Sequence, residues 1–122
     1  IMATGGATLR MAERAGSGNA LLHLLTGDVF DAQEALRLNF VQRVVPAGQQ
    51  LASALQIAQA IAVQAPLAVI ATRQNVLKCV ENGPVVAMQD FIPVQQRLST
   101  SADAAEGVRS FVKKRAARFT GK

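Results

Sequence analysis

Residues 40–45, Phe-Val-Gln-Arg-Val-Val, constrain this chain more than any other segment. They are short, rich in β-branched side chains and closed by Pro46-Ala47-Gly48, so they read as a strand. A strand leaves its N–H and C=O groups unpaired until a second strand lies beside it. No other segment of the 122 residues reads as a strand. The partner is therefore expected outside these residues. The chain itself is expected to be mostly α-helical with this one short strand.

The remaining pattern is helical. Half of the residues are hydrophobic, which excludes a disordered tail. Tyr and Trp are absent and Phe occurs five times, so the apolar mass is Ala, Leu, Val and Ile, suited to closely packed helices. Residues 7–15 and 19–25 read as two short helices broken by Gly16-Ser17-Gly18. Asp31 and Glu34 form a capping-box pair: Asp31 accepts from the Glu34 N–H and Glu34 reaches back to the Asp31 N–H. That cap opens a helix over residues 32–38. Asn39, tolerant of the left-handed conformation, ends it.

Leu51, Ala54, Leu55, Ala58, Ile61 and Ala62 make one apolar stripe on a helix over residues 49–63. Pro66 opens the next helix at its tolerated first turn. Leu67, Ile70, Ala71, Val76, Leu77 and Val80 supply its expected buried side, and Asn82-Gly83-Pro84 ends it. Residues 85–98 read as helix with Pro93 inside, which should kink or split it. Asp103 and Glu106 read as a second capping box, opening a last helix that carries Val108, Phe111 and Val112.

Several function classes are excluded or disfavoured. A single cysteine, Cys79, cannot form an internal disulfide and fits a reducing compartment. His23 and Cys79 together are too few for an ordinary zinc site, so no metal is expected. The apolar runs are short and interrupted, which argues against a membrane helix. The segment Ile1-Met2-Ala3-Thr4-Gly5-Gly6 lacks the charged lead of a signal peptide. A cytoplasmic location is expected. His23 sits on a Leu-rich helix with no Ser, Cys or acid at triad spacing and reads as structural. Cys79 reads as a buried, inert thiol. Gly5-Gly6 reads as a tight turn, not a phosphate loop.

Charge is uneven. Of the net +5, residues 109–122 carry six bases and no acid: Arg109, Lys113, Lys114, Arg115, Arg118 and Lys122. The rest is close to neutral. Such a tail invites an anionic partner. It could equally be a solvated helix end complementing the dipole.

The linear order then becomes recognisable. Thr26-Gly27-Asp28-Val29-Phe30-Asp31-Ala32-Gln33-Glu34-Ala35-Leu36, then Phe40-Val41 and Val44-Val45-Pro46, resemble the enoyl-CoA hydratase/isomerase (crotonase) family after its catalytic core. Ile61-Ala62 with Ala65-Pro66-Leu67-Ala68-Val69 resembles its next signature. Asp103-Ala104-Ala105-Glu106-Gly107 and the run from Phe111 to Phe119 resemble its closing motif. The likeness covers nearly the whole chain, in order.

The resemblance implies the C-terminal part of an α/β superhelix of ββα turns with a helical trimerisation region. Residues 1–48 would end the core, and 49–122 would form the helical region for oligomerisation and CoA contact. It implies an acyl-CoA substrate, no separate cofactor and a homo-oligomer, trimer or hexamer. Neither a nucleic acid nor a membrane is expected as a partner.

The family stabilises an enolate-like species in an oxyanion hole, and hydratases add two glutamates that position water. The resemblance places all of these upstream, so the chain alone is expected to be inactive. Phe111 resembles the aromatic that meets the CoA adenine, and Lys114 the lysine beside its ribose phosphate. Alternatively, Phe111 is a core or trimer-contact residue and Lys114 a solvated charge.

Three positions depart from the family. Met2 stands where Pro is common, and Asn39 replaces a usual Gly. Ala3 stands where many hydratases have a Gly whose N–H helps hold water, so only its backbone N–H is a candidate. Asn39 is absorbed by its tolerance of the left-handed conformation, whereas Met2 and Ala3 leave an isomerase or an inactive paralogue open beside the hydratase reading. A non-enzymatic helical module with a nucleic-acid-binding tail is the alternative of another class. No aromatic cluster or recognised binding module supports it.

Overall fold

The computed structural model describes residues 2–122; Ile1, the first residue of the N-terminal segment, lies outside the described residues. Among the described residues seven helices follow one another: α1 Ala7–Thr26, α2 Ala32–Arg37, α3 Gln50–Ala62, α4 Pro66–Asn82, α5 Pro84–Gln89, α6 Phe91–Ser99 and α7 Ala102–Val112. No single helix among the described residues is long and apolar enough to cross a membrane. The contacts divide the chain into two compact units, Ile1–Gln50 and Leu51–Lys122.

In the first unit, Gly16 adopts φ 77° and ψ 157° and breaks α1 at the expected place. Only glycine enters that region without strain. The Asp31 carboxylate caps α2 by accepting from the Glu34 N–H at 2.8 Å. The reciprocal half of that capping box does not form. The Glu34 carboxylate instead takes two bonds from Arg37, at 2.6 and 2.7 Å, because a charge-assisted fork outcompetes one neutral N–H. Asn39, at φ 62°, ends α2 as a left-handed cap, with Phe40 N–H donating to Ala35 C=O at 2.9 Å.

Residues 40–45 carry no strand, nor does any other described residue. A strand exists through its ladder, and no described segment offers one. The expected strand therefore stays an irregular connection with exposed Val41.

In the second unit, α5 and α6 pack on α4, and α6 meets α7. Small residues permit the approach: Ala71 and Ala87 are buried, and Asn75 Nδ2 donates to Ala87 C=O at 2.9 Å. The helix expected over residues 85–98 splits at Asp90 rather than at Pro93. Pro93 is the third residue of α6, where a missing N–H costs little. Lys78 of α4 forms an ion pair with Asp90 at the break.

The expected buried side of α4 is mostly open, with Ile70, Val76 and Val80 exposed and Ala71 buried. The α3 stripe is likewise exposed, and α3 buries no residue. Cys79 is half-buried rather than buried.

Candidate functional site

The second capping box does not form either. Ser101 caps α7, its hydroxyl accepting from the Ala104 N–H at 3.0 Å. That frees Asp103 and Glu106, one turn apart on the same helix face, and both are buried under the basic tail. Asp103 accepts from the N–H groups of Thr120 and Gly121 at 2.7 and 2.8 Å. Its own N–H donates to the Lys122 C=O at 3.1 Å. Glu106 accepts a two-pronged bond from Arg115, at 2.6 and 3.0 Å, and the Arg118 N–H at 2.9 Å. Arg109 Nε adds a longer contact at 3.4 Å. The Arg115 guanidinium and then the Arg118 N–H, opposed by burial, hold the Glu106 carboxyl down to about 2.

This clasp folds the tail back on α7 and fixes the turn between them. The Arg115 N–H donates to the Ser110 C=O at 3.1 Å and the Lys114 N–H to the Phe111 C=O at 3.2 Å. Those two bonds make a Schellman ending, whose left-handed position is usually glycine. Here it is Lys114, at φ 48°. A lysine with φ in that region costs about 1–2 kcal/mol.

Beside this turn lies an open groove lined by Gly107, Ser110, Phe111, Lys114, Arg115 and Phe119. Phe111 is 86 % exposed, so it is not a core residue of this chain. The two residues singled out in sequence for coenzyme contact thus line one groove. Ala3, the third residue singled out, is half-buried ahead of α1, in the other unit.

Gly5 and Gly6 both take positive φ in the turn before α1, as a tight turn requires. His23 does have an acid partner, Glu34, whose Oε1 lies 3.3 Å from Nε2. Its ring tilts onto Phe30 at 4.9 Å, and Phe30 stacks on Phe40 at 5.8 Å. Arg37, already bound to Glu34, also reaches Asn19 of α1 at 3.2 Å. The cluster ties α2 to α1. In the neutral ring, the tautomer with its proton on Nε2 leaves only a lone pair at the buried, unpartnered Nδ1.

The family model for enoyl-CoA hydratase/isomerase matches residues 1–122. The chain belongs to this family. A crystal structure of a probable enoyl-CoA hydratase/isomerase from Mycobacterium abscessus matches all of the chain at 44% identity and a TM-score of 0.88, over 48% of its own length. Enoyl-CoA hydratase EchA19 of Mycobacterium tuberculosis is 35% identical over 94% of the chain and 43% of its own length. Carnitinyl-CoA dehydratase of Proteus mirabilis is 32% identical over the whole chain and 48% of its own length. The chain thus spans about half the length of the relatives it matches. Its mostly helical architecture fits the C-terminal helical part of the crotonase fold.

Glu106, Arg115 and Phe119 were missed as site residues. Glu106 and Arg115 meet only because the tail reverses at Lys114. A run of bases in sequence does not reveal which one turns back onto an acid. Phe119 closes the family motif and thus carried a signal, but its place in the groove required the clasp.

Proposed function

We propose that this chain is the C-terminal part of an enoyl-CoA hydratase, and that the groove at the end of α7 holds the adenine end of coenzyme A. The observation that carries the reading is the pairing of an exposed Phe111 ring with a left-handed Lys114 in one groove. A strained non-glycine backbone persists only where the surrounding structure holds it, and such positions cluster at ligand sites. An exposed aromatic face stacks a purine, and an ammonium beside it forms a charge-assisted contact with a phosphate. Family membership supplies the substrate class, an acyl-CoA thioester. The names of the relatives, a hydratase and a dehydratase, favour movement of water over double-bond migration.

In this reading the chain's own residues bind and orient the nucleotide end of the thioester. The oxyanion hole and the glutamates that handle water belong to the remainder of the protein. The Ala3 N–H is the one group here placed by resemblance near that water. Copies of the protein assemble as a trimer or hexamer, with Phe111 serving a neighbouring subunit's ligand.

The test is turnover of a 2-enoyl-CoA by the full-length protein that contains this chain. The expected product is the 3-hydroxyacyl-CoA, and the 122 residues alone show no turnover. Phe111→Ala should raise KM roughly tenfold with kcat within about twofold, because stacking worth about 1–3 kcal/mol acts equally on ground and transition states. A shifted double bond without hydroxylation would identify an isomerase. CoA binding without turnover would identify a scaffold paralogue. Absence of CoA binding would end the reading.

A further inference from the structure

We infer that Glu106 is a positioning residue for the coenzyme groove, acting through Arg115 on the Lys114 turn. The inference rests on the reading of that groove as a CoA site and adds a residue that never touches the ligand.

The geometry leads there in three steps. First, Lys114 occupies a position that the backbone disfavours for any residue with a Cβ, so its conformation must be held from outside. Second, the residue immediately after it, Arg115, is clamped. Its backbone N–H closes the Schellman turn on Ser110, and its guanidinium grips Glu106 with both prongs. A planar fork on a carboxylate fixes direction as well as distance. Third, Glu106 is itself anchored on α7 at 8 % exposure and takes the Arg118 N–H as well, so the chain is fastened again just beyond the turn.

Lys114 is therefore held between a helix end and a clamped arginine, with its side chain free to serve a ligand. Phe119, one residue past Arg118, is brought into the same groove by the same fastening. The buried acid makes the groove's cationic edge a fixed surface rather than a frayed helix end.

Neutralising the acid should loosen the turn without removing any ligand contact. CoA and 3′-dephospho-CoA differ only in the ribose phosphate, so the ratio of their dissociation constants reads the placement of Lys114. Binding of both to the full-length protein that contains this chain is measured by ligand-observed NMR, with thermal unfolding recorded in parallel. Lys114→Ala should remove most of the preference for CoA, about tenfold, the equivalent of one charged contact. Glu106→Gln should remove a comparable share while Phe111 and Lys114 are intact. Glu106→Asp keeps the charge but is one methylene short of serving Arg115 and the Arg118 N–H together. It should fall between, and it carries the test if Glu106→Gln does not fold.

The inference is overturned if the folded Glu106 variants keep the full preference for CoA. It is equally overturned if they weaken both ligands alike in step with lost thermal stability, which is what a merely structural acid would do. A loss confined to Arg115→Ala, with Glu106→Gln unaffected, would make Arg115 a direct phosphate contact instead. If Phe111→Ala and Lys114→Ala themselves leave CoA binding unchanged, the CoA reading fails and the positioning role falls with it.

Discussion

Two residues set the behaviour of the tail, and both are open to simple tests. Lys114 sits where glycine would relax the backbone. Lys114→Gly should therefore stabilise the fold by about 0.5 kcal/mol, the relieved left-handed cost less the extra chain entropy of glycine. It should also weaken CoA binding, and calorimetry with a binding titration reads both effects. A gain in stability coupled to a loss in affinity would show that the strain serves the ligand. Glu106 gives the pH dependence. Its folded carboxyl is held down to about 2 against an ordinary value of 4.5. A lowered carboxyl contributes stability that is complete above the unfolded value and is lost as pH falls through the folded one. That contribution should thus be full at neutral pH and fall away between about pH 4.5 and 2, with the clasp itself releasing only near pH 2. The Arg118 amide resonance should titrate with a midpoint near pH 2, and Glu106→Gln should abolish the titration.

At the scale of elements, local chemistry was legible and long-range chemistry was not. The Asp31 cap, the Asn39 stop, Pro66 at a helix start and the Gly16 break each depend on a few neighbouring residues, and each stands where the pattern put it. The break in α1 supports a paired test. Gly18 lies within the helix with open space where a Cβ would go, whereas Gly16 has φ 77°. Gly18→Ala should stabilise by about 1 kcal/mol, and Gly16→Ala should destabilise by at least as much. Thermal melts of the two variants should move in opposite directions.

The misreadings share one cause. Glu34, Asp103 and Glu106 had the spacing of capping boxes, yet each carboxylate found a cationic or multi-donor partner: Arg37, the Thr120 and Gly121 amides, and Arg115. Asp103 and Glu106 find their partners in the tail, beyond a turn, and Arg37, though within a turn of Glu34, is a partner that a capping pattern does not weigh. In the same way residues 40–45 have the composition of a strand but no described neighbour to make them one. In the candidate groove, Phe111 and Lys114 were singled out from the sequence because the resemblance carries them, and they do line one groove. Glu106 was not, because its role depends on the direction in which the tail turns.

For the whole molecule the deciding fact is apolar surface left uncovered. A helix with a continuous apolar stripe is stable in water only when something buries that stripe. Leu51, Leu55 and Ile61 on α3 are exposed, and so are Ile70, Val76 and Val80 on α4. Burying a Val, Leu or Ile side chain contributes about 1.5–3 kcal/mol, so these six residues leave a large driving force unused by the described residues. The proposed homo-oligomer would use it, and charge placed on the stripe should then act on assembly rather than on helix formation. Leu55→Glu with Ile61→Glu keeps good helix formers at both positions, so circular dichroism of the full-length protein should change little. Its mass by light scattering should fall from trimer or hexamer toward monomer, because a carboxylate buried in an apolar contact without a partner costs several kcal/mol. An unchanged assembly mass would mean that α3 faces the remainder of its own protein rather than another copy. The loss would then appear as lowered thermal stability at constant mass, so the two measurements together assign the covering surface.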